Sequence, residues 1–306
     1  MNSTTAVIAS YIGHLPELQR FLENNIRFNT NYKNTYIILV ISSSDVDSFK
    51  NLVKEKFEVL KELITIYDFD ELFAKHFNFD ISTHDLMNTY DKYTFQSIKK
   101  LCGMLEVKTE TLMLFDSESY FVRECPLVDY VNKFMEKKEI FYTTKLSNTI
   151  QEDVVNNVKH ILSDSLPDNF WPGIVISPQC IYLKSTIIDF YNYILPIKDM
   201  LKRNYIFIEI LLNSYIYKYN ERFQYTFVDL TNTLQYFDNH EHIWHCIDLN
   251  NQNQVVSLST IYSTHFLFCY YVSAIIDEHK TNINTDLIRR IESIKILNST
   301  PFTYTI

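Results

Sequence analysis

The sequence predicts an α/β fold, a mostly parallel sheet flanked by helices and followed by a helical C-terminal part. Three observations carry this reading. In the first half, short apolar runs alternate with amphipathic stretches at helical spacing, the pattern of successive βαβ units. In the second half, long aromatic-rich helical stretches dominate. They end in residues 286–297 (DLIRRIESIKIL), where Leu287, Ile291, Ile294 and Ile296 form one stripe. Finally, the chain has only 3 glycines in 306 residues and neither a GxGxxG nor a GxxxxGK[ST] run. Dinucleotide-binding and P-loop folds, whose phosphate loops need several glycines, are thereby disfavoured.

The elements follow in order. Residues 5–11 (TAVIASY) read as a first strand. Gly13-His14-Leu15-Pro16 comes next, with Pro16 well placed to open a helix on which Leu18, Phe21, Leu22, Asn25 and Ile26 recur. Residues 35–41 (TYIILVI) are a buried strand, 42–45 (SSSD) a polar turn, and 46–60 a helix. A third strand covers 63–67, a helix 94–105, and a central strand 111–115 (TLMLF). Beyond these, 141–144 and 173–182 read as strands and 183–219 as mostly helical. An Asn/Gln-rich turn at 250–253 sets the boundary between a domain over residues 1–250 and a helical extension over 251–306 packed on it.

The formal net charge of −9 argues against nucleic acid as a partner, because phosphate contacts need a basic face. Five scattered cysteines (Cys102, Cys125, Cys180, Cys246, Cys269) without a CxxC pair point to free thiols in a reducing cytoplasm. Residues 1–7 carry neither the basic nor the apolar region of a signal peptide. The longest apolar stretch, 261–276, is too short and too interrupted to span a bilayer. The expectation is a cytoplasmic protein without a transmembrane segment, at most peripheral to a membrane.

The most informative segment is 111–122 (TLMLFDSESYFV), where an apolar run ends abruptly in Asp116, Ser117 and Glu118. Side chains two apart in an extended chain share a face, so the two carboxylates project together at the C-terminal end of a central strand. Open α/β sheets place their ligands there. Converging carboxylates repel unless a cation or proton lies between them, and hard oxygen ligands suit Mg²⁺ or Mn²⁺. Taken alone, the tripeptide is as readily a polar turn. A rival pair, Asp68 and Asp70 in YDFDE, also ends a strand, but a helix follows at once, and Asp70 reads as its N-cap.

Residues 95–101 (FQSIKKL) together with 109–122 resemble bacterial and viral glycosyltransferases of the GT-A fold that build capsules and lipopolysaccharides. In that family a helix with a Gln and a Lys-Leu pair precedes an apolar strand ending in D-x-D. The opening AVIASYIGHLPELQRFLENNIRF resembles the family's first strand and helix. Glu118 stands where the family usually has Asp. The resemblance implies a GT-A-like, Rossmann-related sheet and a metal (Mn²⁺ or Mg²⁺) on Asp116 and Glu118. That metal would bridge the diphosphate of a UDP- or GDP-sugar, whose sugar passes to a glycan or lipid-linked acceptor. It further implies Ser10 and Tyr11 near the base, Asp68 or Asp70 on base or ribose, and Ser117 beside the donor. Gln96 and Lys100, four apart on one helical face, also fall near the donor. Lys100 is then either a phosphate partner or an ordinary solvated lysine.

Residues 205–219 (YIFIEILLNSYIYKY) read as an apolar helix with Glu209 as its one acid and Tyr205, Asn213 and Tyr217 on the same face. A carboxylate in such company is costly to bury unless paired or functional. The family has a glutamate opening a comparable tyrosine-rich helix, which makes Glu209 the candidate general base for the acceptor hydroxyl; the plainer reading is a polar stripe. Residues 238–246 (DNHEHIWHC) are the densest group of metal-capable side chains, though not HExxH. His242 or His245 is the candidate third metal ligand by resemblance, and loop or core histidines are the alternative. Trp171 is either a sugar-stacking ring or a core tryptophan. Two other functions stay open: nucleotidyl transfer, which would bring a Gly-rich basic loop where Ile12-Gly13-His14-Leu15 stands, and a non-catalytic carbohydrate-binding or scaffold protein.

Overall fold

A computed structural model describes residues 3–117, 119–121, 126–146, 149–162, 166–172, 180–229 and 268–270. The first half is strand β1 (Thr4–Ser10), helix α1 (Leu15–Phe28), β2 (Thr35–Ile41), α2 (Val46–Lys56), β3 (Ile64–Asp68), α3 (Phe69–His76), α4 (Thr83–Thr89), α5 (Lys92–Leu105) and β4 (Thr111–Asp116). There follow β5 (Ser119–Phe121), α6 (Leu127–Lys137), β6 (Glu139–Tyr142), α7 (Thr149–Leu162), β7 (Ile181–Leu183), α8 (Lys184–Ile194), α9 (Ile208–Lys218), α10 (Asn220–Phe223), β8 (Thr226–Asp229) and β9 (Phe268–Tyr270).

The main sheet runs β3-β2-β1-β4-β7, parallel except for β7. This is the mostly parallel α/β sheet flanked by helices that the sequence predicts. Every residue of β1 is buried, as are all residues of β2 except Tyr36 and all of β4 except Asp116, which explains their unbroken apolar runs. The chain winds outward from β1 through β2 to β3, then returns to add β4 on the other side of β1. The order therefore reverses between β1 and β4, and a crevice forms outside the strand ends at such a switch point.

Two helices fix the faces of this junction. Phe21 of α1 packs on Phe115 of β4 with ring centroids 5.3 Å apart. Gly103 of α5 lies against β1 and β2 so closely that a Cβ there would stand 2.6 Å from Val40 Cγ2 and 2.8 Å from Val7 Cγ1. Alternation along β4 then decides what each face receives: Phe115 and Ser117 point toward α1, and Asp116 points toward α5.

Several expected details shift. Helix α5 opens at Lys92 rather than Thr94 because Asp91 caps it, accepting from the amides of Tyr93 (2.7 Å) and Thr94 (3.1 Å). Helix α3 is capped by Asp68 and not by Asp70: the Asp68 carboxylate accepts from the Asp70 amide at 2.8 Å, the shorter span being set by the strand that ends there. Tyr205 does not share a helix face with Glu209, since it lies ahead of α9 in the left-handed region at φ 60°. In the stretch 251–306, expected to be helical, Phe268–Tyr270 is a strand antiparallel to β5. The rest of that stretch, its boundary at 250–253 and residues 173–179 lie outside the described residues. Among the described residues no helix is long and apolar enough to cross a membrane.

Candidate functional site

The C-terminal ends of β1 and β4 bring together residues far apart in sequence. Ala9 pairs with Asp116 in the parallel register, so Ser10, the last residue of β1, and Ser117, the first after β4, come next. From the α5 side, Lys100 Nζ sits 2.7 Å from Asp116 Oδ1 and also pairs with Glu209 Oε1 at the start of α9. Gln96 Nε2 donates to the same Asp116 Oδ1 at 3.4 Å. Two sequence-selected side chains from α5, Asp116 from β4 and Glu209 from α9 thus form one hydrogen-bonded cluster, a carboxylate on each side of an ammonium.

Burial grades across this cluster. The Lys100 side chain is 8% exposed, Glu209 18% and Asp116 31%, which rules out the solvated-lysine reading of Lys100. Burial disfavours the ammonium, but Asp116 and then Glu209 more than offset it, and Lys100 holds its proton well above the usual lysine range. Both contacts on Asp116 fall on Oδ1, and of the three charged groups this carboxylate is the most open to solvent.

Behind Glu209 the packing is polar and closed. Tyr182 donates to Asn213 Oδ1 at 3.0 Å, and Asn213 Nδ2 donates to the Pro172 carbonyl at 2.8 Å, so Pro172 is tied to α9. Trp171 itself is buried, a core tryptophan rather than a sugar platform. Cys180, whose thiol is pushed far up by burial and then by Glu209, lies close to the same cluster. Cys102 and Cys180 are both free.

The β1 side carries the loop toward α1. Tyr11 is 49% exposed at the strand end, whereas Ser10 is buried and its Oγ has no hydrogen-bond partner. The rings of Tyr11 and His14 stand 4.3 Å apart, and His14 Nδ1 lies 2.8 Å from Ser117 Oγ. His14 is a site residue that sequence reasoning missed; only the β1–β4 pairing brings it beside Ser117, 103 positions on. Asp68, besides capping α3, accepts from Ser43 Oγ at 2.6 Å. Asp70 accepts from the same Ser43 hydroxyl at 2.7 Å and from Thr83 Oγ1 at 2.6 Å. Asp68 therefore ends β3 and Asp70 lies in the first turn of α3, three places along the sheet from β4 and its Asp116.

Of the four expected metal ligands only Asp116 is among the described residues; Glu118, His242 and His245 lie outside them. Among the described residues no group of three or more His, Cys, Asp or Glu side chains is arranged to hold a metal ion.

No family model and no curated protein sequence matches the chain. Among solved structures the chain is similar to the apo form of mouse xyloside xylosyltransferase 1, at 11% identity and TM-score 0.46, over 88% of this chain and 97% of that one. It is similar to Staphylococcus aureus TarS at 10% identity and TM-score 0.34, where the match covers 61% of this chain but only 29% of TarS. A third is 4-diphosphocytidyl-2C-methyl-D-erythritol synthase from Anaerococcus prevotii, at 14% identity and TM-score 0.38, over 74% and 87% of the two chains. At these scores the likenesses assign no activity or substrate to this chain.

Proposed function

We propose that the chain is a metal-dependent glycosyltransferase, moving a sugar from a UDP- or GDP-linked donor to a glycan or lipid-linked acceptor in surface polysaccharide or glycan synthesis. The observation that carries this reading is the placement of Asp116 and Glu209. Two carboxylates from separate elements meet across one buried ammonium at the switch point of a parallel sheet, where a nucleotide ligand has its natural crevice. An ammonium this buried is costly to desolvate, and its pairing with two carboxylates is weak evidence for a role in stability.

In this reading Asp116, with Oδ1 engaged by Lys100 and Gln96, offers Oδ2 to a divalent cation, with Glu118 and His242 or His245 as its further ligands. Bound there, Mn²⁺ or Mg²⁺ would neutralise the charge that builds on the leaving nucleoside diphosphate. The donor's base lies toward Tyr11 and its ribose toward Asp68, with Ser10 forming the buried floor and Ser117 the wall shared with His14. Lys100 is not assigned to a phosphate, because both of its ion-pair partners are already in place; it keeps the two carboxylates in register. Glu209 acts as general base toward the acceptor hydroxyl through Oε2, since Lys100 occupies Oε1.

Thermal-shift titration with UDP, GDP and the corresponding triphosphates, each with and without Mn²⁺, tests this function. Stabilisation by a diphosphate that needs Mn²⁺ is expected, and its loss in a folded Asp116→Asn variant. A response to triphosphates alone would favour nucleotidyl transfer. No response to any of them removes the transferase reading.

A further inference from the structure

Lys99 is a buried lysine that the cluster above does not use. It precedes Lys100 on α5 but turns the other way, toward β1 and β2. Its Nζ donates to the Ser10 carbonyl at 2.7 Å and to Ser42 Oγ at 3.1 Å, and lies 5.4 Å and 5.6 Å from the ring centroids of Phe95 and Phe69. No carboxylate among the described residues is within ion-pair distance of it. The acids that face it, Asp45 ahead of α2, Asp70 in α3 and Asp68 at the end of β3, act from further off. An ammonium held this way, by a carbonyl, a hydroxyl and two rings, is costly to bury and does nothing for solubility.

What these bonds do is mechanical. Ser10 is the last residue of β1, and Ser42 is the first after β2. The same seam is closed a second time by Asp45 Oδ2, which accepts from the Ile12 amide at 3.0 Å. On the far side His14 reaches Ser117. The loop that presents the exposed rim of the crevice, Tyr11 and Ile12, is therefore suspended between β2 and β4, and Lys99 is its only cationic anchor among the described residues.

We propose that Lys99 is the positioning residue of the nucleotide half of the crevice, clamping the end of β1 to the start of the β2–α2 loop so that Tyr11 is held in place for the donor. This deepens the transferase reading and rests on it. The clamp has a built-in pH limit. Burial lowers the Lys99 ammonium to about 8, with Asp45, Asp70 and Asp68 opposing that fall in this order. As pH rises through that value the charge-assisted bonds to Ser10 and Ser42 become neutral ones of roughly half the strength.

Two measurements on wild type, Lys99→Met and Lys99→Arg test the idea. The first is the UDP dissociation constant in Mn²⁺ buffer across pH 6.5 to 9.5. For wild type we expect UDP affinity to weaken severalfold above pH 8, for Lys99→Met to be about tenfold weaker at pH 7 with a flat profile, and for Lys99→Arg, which keeps its charge throughout, to bind without the alkaline loss. Lys99→Met binding UDP as wild type does at pH 7 overturns the proposal. The second is amide hydrogen exchange at Ile12, which needs no nucleotide: faster exchange in Lys99→Met is expected, and an unchanged rate overturns the clamp. If wild type binds no nucleoside diphosphate at any pH, the transferase reading falls, and the exchange experiment alone then decides whether Lys99 holds the loop.

Discussion

Replacing Lys100 by Met removes the cation between Asp116 and Glu209 while keeping the volume of its stem, and the outcome can be worked from the geometry. Lys100 is 8% exposed, pairs with Asp116 at 2.7 Å and also with Glu209, so its loss leaves two carboxylates facing one another in a largely dry site. Breaking a buried pair by removing one partner costs about 3–5 kcal/mol. Asp116 is 31% exposed and can recover some hydration, which places the expected loss at the lower end, about 3 kcal/mol. In a domain of about 150–250 residues each kcal/mol moves Tm by about 2–4 °C, so Tm should fall by about 6–12 °C at pH 7. The pH dependence carries its own sign. Because the folded protein raises the Lys100 pKa, its contribution is whole below about 10.4, the unfolded value, and is lost only as pH rises through the higher folded value. Wild type should therefore show no Lys100-dependent loss between pH 6 and 9. In Lys100→Met the deficit should shrink on acidification, where an unpaired carboxylate takes up a proton instead. Differential scanning calorimetry over pH 4–9 reads both effects, and the double variant Lys100→Met/Glu209→Gln should recover part of the deficit. A single variant with Tm within about 2 °C of wild type and an unchanged pH profile would refute the charge trio as the organising feature of the site.

Two further outcomes follow from contacts already described. Glu209→Gln should bind a nucleoside diphosphate as wild type does yet lose about 10²–10⁴-fold in transfer rate, measured under saturating donor; undiminished turnover would dismiss it as the base. Gly103→Ala should lower Tm through a loss of about 1–3 kcal/mol, because the new methyl must push α5 off Val40 and Val7. A Tm equal to wild type would mean that the helix can shift to accept it.

The parallel core was legible because burial on both faces leaves no choice of side chain: 35–41 and 111–115 are apolar in nearly every position, and the chain places them beside β1. Asp116 was legible for the complementary reason, as the first charge after such a run. Gln96 and Lys100 were legible as a pair because helical spacing puts positions four apart on one face, and they do meet at one oxygen of Asp116. Lys99 was not, since nothing in its neighbourhood along the chain distinguishes it from a surface lysine; its partners are a carbonyl 89 positions away and a hydroxyl 57 away. The link between His14 and Ser117 is equally invisible without the strand order. The cap at Asp68 went unread because Asp68 and Asp70 are both competent caps, and the choice is made by where β3 stops. The antiparallel sense of β7 left no trace in its three residues.

Helix α5 bears Gln96, Lys99, Lys100 and Gly103 within two turns, and consecutive positions on a helix are separated by about 100° of rotation. The helix is thus keyed to the sheet like a notched bar: no roll about its axis can improve the seat of one lysine without unseating the other. A single-residue insertion between Gln96 and Gly103 would throw the side chains on either side of it out of phase with one another. Changes in length at this end of the sheet are consequently better borne by the surrounding loops than by α5.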